Sequence, residues 1–472
     1  MCFPRLVLFW GVDEPPPWLP DSSQKPFPSL QRITADELAS AKGHVYPLLL
    51  VRLALTWVCD AHTSYRAAAL IFSTLDGLGI AVGPCAETIR LWLLRVGLFL
   101  LRRPLPRYTD WVYLLDLTIQ LGAHKCLVIL GISLAQFRSK GYRLDHHDVH
   151  VLSVQVLTRC TAQTVHQHLT EVRKRVGTPV QIVSDHGSDI LGGIRLFRAK
   201  HKVVIETYDI THGLAILLKR YLEPDARWDG FVKACQRTRQ QLQQTAGSFL
   251  QPPAWRQKAR YLNLEGHLAW ANDMLLLCAK ADATLAEELG CSPEQGKKWL
   301  EEKLGWLREY QEDVRQWSYF QKVVKCAEEE IKHNGLRRGS WHRIRQSLEK
   351  HKPLSERERH FLRDAMKLVR SEGGKVPARQ CYVGSTDVLE SLFGKYKELA
   401  EHGPCREITA NVLMIPLFAT ALTATLLGQA LESVREQDVR LWVEQQLGPS
   451  PQKKKRAVLH ASRPESGGPD LT

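Results

Sequence analysis

The chain has 472 residues, of which 44% are hydrophobic and 24% charged, so it carries enough apolar material for two or three folded domains. Its 64 Lys and Arg outnumber 50 Asp and Glu for a net charge of +14, which favours a polyanionic partner. The 11 cysteines are scattered with no C-x-x-C pair, which speaks against a zinc ribbon and a disulfide framework and fits reduced thiols.

Residues 1–33 read as a Pro-rich, irregular leader, and the short apolar run Leu6 to Val12 lacks the flanks of a signal peptide. No charge-free apolar stretch reaches the length of a membrane span; Met414 to Leu427 is too short and reads as a buried helix. Residues 34–103 show helical periodicity. A helix beginning near Ser64 is followed by Gly77 and Gly79, and then by a stronger helix over Glu87 to Gly97. Two helices around a turn make a helix-turn-helix candidate, with Arg66, Thr88, Arg90 and Arg95 as DNA-contacting residues. A plain helical hairpin that packs on the core is the competing reading.

Pro104 and Pro106 mark a linker, after which the texture changes. Trp111 to Leu117 and Lys125 to Ser133 are apolar runs joined by Gly122-Ala123-His124, a hairpin pattern, and Val149 to Leu157 alternates as a third strand. Thr161 to Val176 is helical, Val180 to Ser184 a buried strand, Ile190 to Lys200 a helix, Val203 to Tyr208 a strand and Ile210 to Tyr221 a helix. The β-β-β-α-β-α-β-α order over 108–227 predicts a mixed sheet with helices added, an α/β class. Residues 228–380 hold no convincing strand and read as an all-helical block. Helices return over 381–447, and 448–472, with Lys453 to Arg456, reads as a disordered basic tail.

Three acids stand out by position: Asp116 at the end of the first strand, Asp185 at the end of the fourth, and Glu390 near a helix start. An ionised Asp among apolar neighbours is costly unless it is paired or binds a cation. In this strand order the first and fourth strands are expected to be neighbours, so their terminal acids would face one another. Oxygen donors with open positions suit Mg²⁺ or Mn²⁺. Each acid also has a plainer reading: a strand-end Asp as a turn residue, Glu390 as a solvated surface acid, and Asp189 as a rival of Asp185 or a helix cap.

The chain from Tyr113 to Lys397 resembles the DDE transposases of bacterial insertion sequences. Asp116 and Asp185 are 69 residues apart, and Asp185 and Glu390 are 205 apart. The second spacing resembles the groups that carry an inserted domain before the last acid. Asp209 and His212, after the fifth strand, resemble the Cys/Asp-x-x-His signature of Mutator-like and hAT-like transposases, although His212 also reads as a structural helix-start residue. Lys397 lies seven residues after Glu390, as in the Glu-x6-Lys signature of one insertion-sequence group, but Thr386 stands where that signature has Arg.

This resemblance implies a ribonuclease H-like mixed sheet interrupted by an all-α insertion and preceded by a helical DNA-binding domain. It implies a transposase that binds terminal inverted repeats and cleaves and joins DNA with two Mg²⁺ or Mn²⁺ ions. Asp116 would bridge the ions, with Asp185 and Glu390 each holding one, while Lys395 and Lys397 would contact DNA phosphates or remain ordinary surface lysines. The implied partners are the element ends and target DNA, bound by a dimer or higher multimer, with no membrane, in a cytoplasmic, nucleoid-associated setting. The alternatives are a catalytically silent, transposase-derived DNA-binding protein, and a nuclease that hydrolyses without joining.

Overall fold

The computed structural model describes residues 33–76, 83–121, 124–255, 264–280, 283–401 and 408–449, with a few positions of the tail. The leader, the 122–123 turn and most of the basic tail lie outside the described residues.

Five strands form one mixed sheet: β1 (Trp111–Leu121), β2 (His124–Ser133), β3 (His150–Leu157), β4 (Gln181–Ser184) and β5 (Ile205–Tyr208). Their spatial order is β3-β2-β1-β4-β5. The β1–β2 and β2–β3 pairs are antiparallel, and the β1–β4 and β4–β5 pairs are parallel. Helices Ala162–Val176 and Ser188–Lys200 link β3 to β4 and β4 to β5.

The alternation of each strand sorts its side chains onto two faces. On one face Trp111, Tyr113 and Leu115 of β1 pack with Val165, Leu169, Ile190, Ile194 and Phe197 of the two linking helices. On the other, Val112 and Leu114 join a larger core that includes helices Ala86–Arg102, Ile210–Leu222 and Asp387–Glu401. Asp116 continues the Val112–Leu114 series, so the strand's own period aims it at this second face.

The second face explains a departure from the expected DNA reader. Helix Ala86–Arg102 buries Ile89, Trp92, Leu93, Leu94, Val96, Leu98, Leu100 and Leu101, a distribution that leaves no broad wet face. Arg95 turns inward: its Nε donates to Val434 O at 2.6 Å and its Nη2 to Leu431 O, both carbonyls at the end of helix Ala424–Ser433. Those carbonyls have no partner within their own helix, and a guanidinium satisfies both and complements the helix dipole. Arg90 pairs with Glu87, and Thr88 lies against Cys85 at 3.2 Å. Of the four helix-turn-helix residues expected to meet DNA, Arg66 alone is exposed, and Lys395 and Lys397 are half-buried. The helix serves as a central packing element that joins the start of the described chain to its final helices.

The block beyond helix Ala226–Leu242 is helical, and among the described residues its one β feature is an isolated bridge between Leu336 and Tyr382. It has an aromatic centre, in which Trp317 meets Trp228 at 4.9 Å and Phe231 at 5.2 Å between ring centroids. Among the described residues no helix is long and apolar enough to cross a membrane.

Gly97 marks the tightest approach on the second face. A Cβ at this position would run into the Leu413 carbonyl and stand 2.9 Å from Leu413 Cβ. Backbone cannot yield as a flexible side chain does, so Gly97→Ala is expected to destabilise the fold by about 1–3 kcal/mol, visible as a lowered Tm in thermal unfolding. An unchanged Tm would show that the two segments are not in contact.

Candidate active site

The parallel β1–β4 register ends on Leu115 opposite Ser184, so the next residues along the two strands are Asp116 and Asp185. Directly after Asp116 the β1–β2 register shifts, because two residues of β1 oppose one of β2 before Ile119 pairs with Cys126. A bulge of this kind bends its strand and re-aims the side chains beside it. After Ser184 the chain leaves the sheet at once: Asp185 Oδ1 accepts from Gly187 N at 3.0 Å, and His186 takes a left-handed φ of 56°. The turn brings helix Ser188–Lys200 in with its N-terminus beside Asp185, an electropositive end next to a carboxylate.

Glu390 arrives from far along the chain, on the first turn of helix Asp387–Glu401. Two buried side chains, one in β4 and one just past the end of β5, hold the segment that delivers it. Gln181 of β4, fully buried, donates through Nε2 to Val383 O at 2.7 Å and accepts from Val383 N at 3.1 Å. The same amide donates to Thr207 Oγ1 at 2.7 Å, so one side chain pairs with the returning backbone as a strand would. Asp209, also fully buried, accepts from Thr386 N at 3.2 Å and from Thr386 Oγ1 at 2.5 Å. Its other oxygen accepts from Thr211 Oγ1 at 2.6 Å and His212 N at 3.1 Å, capping helix Ile210–Leu222. Asp209 is therefore a clamp between two helix starts.

These elements enclose a cavity of about 340 Å³ bordered by Asp116, Asp185, Asp189, Glu390, His212 and Thr386, together with Leu117, Gly187, Ser188 and Ile190. Four of those residues are acids, and none is Lys or Arg. Asp189, in the first turn of its helix, shares the cavity with Asp185. The local field is felt at Tyr208, whose hydroxyl is pushed up to about 12 by burial and by the charges of Asp209 and Asp185. Lys395 and Lys397 are not among the lining residues. Lys395 lies over the Phe418 ring at 5.9 Å, and Lys397 is half-buried further along the same helix.

Beside the cavity is a polar cluster that sequence reasoning missed. The His186 ring stacks on Tyr208 at 4.4 Å, and its Nε2 bonds Glu206. Glu206 also accepts from Lys375 Nζ at 3.3 Å, and Lys375 donates to Glu372 at 2.7 Å, which in turn accepts from Tyr208 N at 2.7 Å. Burial alone would raise the Glu206 carboxyl, but the His186 hydrogen bond and the Lys375 charge outweigh it and hold the group below its ordinary range. The cluster fixes the turn that carries Asp185 to the end of helix Glu356–Lys375.

Among the described residues, no three His, Cys, Asp or Glu side chains are gathered closely enough to ligate one ion. The donor chemistry nevertheless fits a hard divalent cation, because carboxylate oxygens line the cavity without a competing basic group. Mg²⁺ commonly takes one or two carboxylates and completes its shell with water and substrate phosphate, so it does not need three acids at a single point.

No protein-family model and no curated protein matches the chain. Among solved structures it is similar to the Drosophila P element transposase strand transfer complex, at 11% identity and a TM-score of 0.37 over 84% of this chain and 94% of that one. A likeness at that level defines neither a shared architecture nor a shared activity.

The Gln181 contact makes a direct prediction. Gln181→Leu keeps the volume but leaves the buried N–H and C=O of Val383 without this partner, at about 1–3 kcal/mol for each group. Denaturant unfolding should show the loss, and an unaltered midpoint would remove Gln181 as the anchor of the returning segment.

Proposed function

We propose that the protein is a DDE-type transposase that cleaves and joins DNA at the cavity bordered by Asp116, Asp185 and Glu390. The observation that carries this reading is the convergence of acids from three parts of the chain. Two come from adjacent parallel strands, Asp116 within β1 just past its last pair with β4 and Asp185 just past the end of β4, and the third is brought in by a helix 205 residues after Asp185. The strand order β3-β2-β1-β4-β5, with its first three strands antiparallel and the last two parallel to β1, supports a ribonuclease H-like core.

In this reading Asp116, Asp185 and Glu390 would hold divalent cations, Mg²⁺ or Mn²⁺. Such ions would supply Lewis acidity and charge neutralisation for an in-line displacement at a DNA phosphate. The chain's own residues do the rest. Asp116 is anchored in the sheet and 5% exposed, so its position is set before any ligand arrives. Asp185 is fixed by its turn, and Glu390 is fixed through Thr386 by the Asp209 clamp. His212 lines the cavity wall, half-buried, and in this reading would serve as an accessory residue beside the reacting phosphate. An acid-lined cavity repels phosphate in the absence of cations, so the proposed reaction requires the metal to seat the reacting phosphate in the cavity as well as for chemistry, while duplex contacts outside the cavity do not.

Strand cleavage of duplex DNA carrying the element's terminal repeats tests the reading, with Mg²⁺ or Mn²⁺ present and wild type compared with Glu390→Ala. Metal-dependent nicking at the repeat ends should fall by at least about 10³-fold in the variant, while DNA binding without metal stays within about twofold. Wild-type protein that binds but does not nick would make a silent DNA-binding relative the better account. Nicking without strand transfer would leave a nuclease.

A further inference from the structure

The charge surplus is concentrated in one part of the chain. Residues 332–379 contain 14 Lys and Arg against 5 Asp and Glu, a surplus of 9 within a chain whose net charge is +14. Helix Glu356–Lys375 orders part of this charge. Arg359, Arg363, Lys367 and Arg370 recur at intervals of three and four, so they share one face, and all four are exposed.

Three of the helix's acids, Glu358, Asp364 and Glu372, are engaged off the stripe, while Glu356 pairs with its first member, Arg359. Glu358 is buried, pairs with Arg315 at 2.9 Å and accepts from Ser355 N at 3.2 Å. Asp364 accepts from Tyr221 Oη at 2.9 Å, Glu372 caps Tyr208 N, and Glu356 pairs with Arg359 at 2.7 Å. Among the described residues Arg363 and Lys367 have no ion-pair partner, and Arg370 lies over the Trp341 ring at 5.2 Å. A ring of that kind orients a guanidinium without neutralising it.

The direction of the stripe gives it a purpose. The helix runs antiparallel to helix Ile210–Leu222. It begins where Arg357 donates to Asp225 at 2.6 Å and ends where Glu372 meets Tyr208, one residue before Asp209. The basic face therefore leads toward the end of the sheet that carries the acidic cavity. From Arg359 to Arg370 the stripe is about 16 Å long at 1.5 Å per residue. One strand of a duplex advances about 3.4 Å per phosphate, so the stripe matches a run of about five phosphates.

The geometry points to this face as a docking track for the sugar–phosphate backbone of double-stranded DNA. It holds the duplex by charge, without reading sequence, and leads it toward the acidic cavity. The inference rests on the transposase reading for its choice of DNA as the polyanion. It also reassigns DNA contact from the first helices, where Arg95 is engaged internally, to the helical block between Asp209 and Glu390.

The test is binding of full-length protein to a labelled duplex of arbitrary sequence, without divalent metal, across a salt series. Arg363→Gln/Lys367→Gln/Arg370→Gln is compared with wild type and with Lys233→Gln/Lys297→Gln/Arg440→Gln, an equal charge loss at exposed sites elsewhere. The stripe variant should lose at least about tenfold in affinity, and its slope of log K against log salt should become shallower by about 3, while the control changes little. Arg363→Lys should retain wild-type affinity, because a phosphate contact needs the charge and not the fork. Equal losses in the two triple variants, or no loss in the stripe variant, would overturn the inference. So would a stripe variant that loses binding to phosphatidylserine vesicles and keeps its affinity for DNA. A wild type that binds through the stripe but never nicks DNA would retain this inference and reject the proposed chemistry.

Discussion

The parallel pairing of β1 with β4 is the constraint on which the rest of the site depends. Its register leaves Asp116 and Asp185 as consecutive continuations of two neighbouring strands, on the same side of the sheet. Strands of a sheet lie about 4.8 Å apart, so two carboxylates that directly follow the last paired residues of β1 and β4 are brought near one another by backbone hydrogen bonding. A slip of one residue would send one of the acids to the opposite face, into the apolar layer of Ile190, Ile194 and Phe197. Burial of both faces therefore protects the site, since any slip would also expose Leu114 or Val183 to the wrong side.

On that foundation the third acid is placed by side chains and not by strand pairing. Gln181 and Asp209 each engage main-chain groups of the returning segment, at Val383 and at Thr386. Both are fully buried, where hydrogen bonds are strong and unmet groups are expensive. Asp209 does not line the cavity and acts on it through Thr386, which does. Thr386 replaces the arginine of the signature the sequence resembles, and here its hydroxyl is the handle by which the sheet grips the helix.

How much was legible in the sequence follows from how local each signal is. The five strands and their linking helices were readable because alternation and the Gly and Pro breaks operate over a few residues. Asp116 and Asp185 stood out because each ends such a run. The Gln181–Val383 and Asp209–Thr386 contacts join residues 202 and 177 positions apart, and no local pattern announces them. Arg95 misled for a related reason. A basic residue on an amphipathic-looking helix reads as solvent-facing, whereas this one meets carbonyls of a helix more than 300 residues later. The stripe on helix Glu356–Lys375 was present in the sequence as periodic charge, but its relation to the cavity required the antiparallel run beside helix Ile210–Leu222.

The excursion that separates the second and third acids begins and ends at one point, since Ile210 N donates to Gly384 O at 3.0 Å. A synthesising ribosome therefore releases the sheet, with two of its acids, long before Glu390 emerges. The whole helical block must be made and folded before its far end can return to Gln181 and Asp209. Domains tend to fold in order of synthesis, and contacts this distant in sequence are late to form. The cavity is thus assembled last, and an interrupted or misfolded chain holds an incomplete set of acids. Under the proposed function this order of assembly is a form of quality control, because only a molecule that has finished folding holds all three acids.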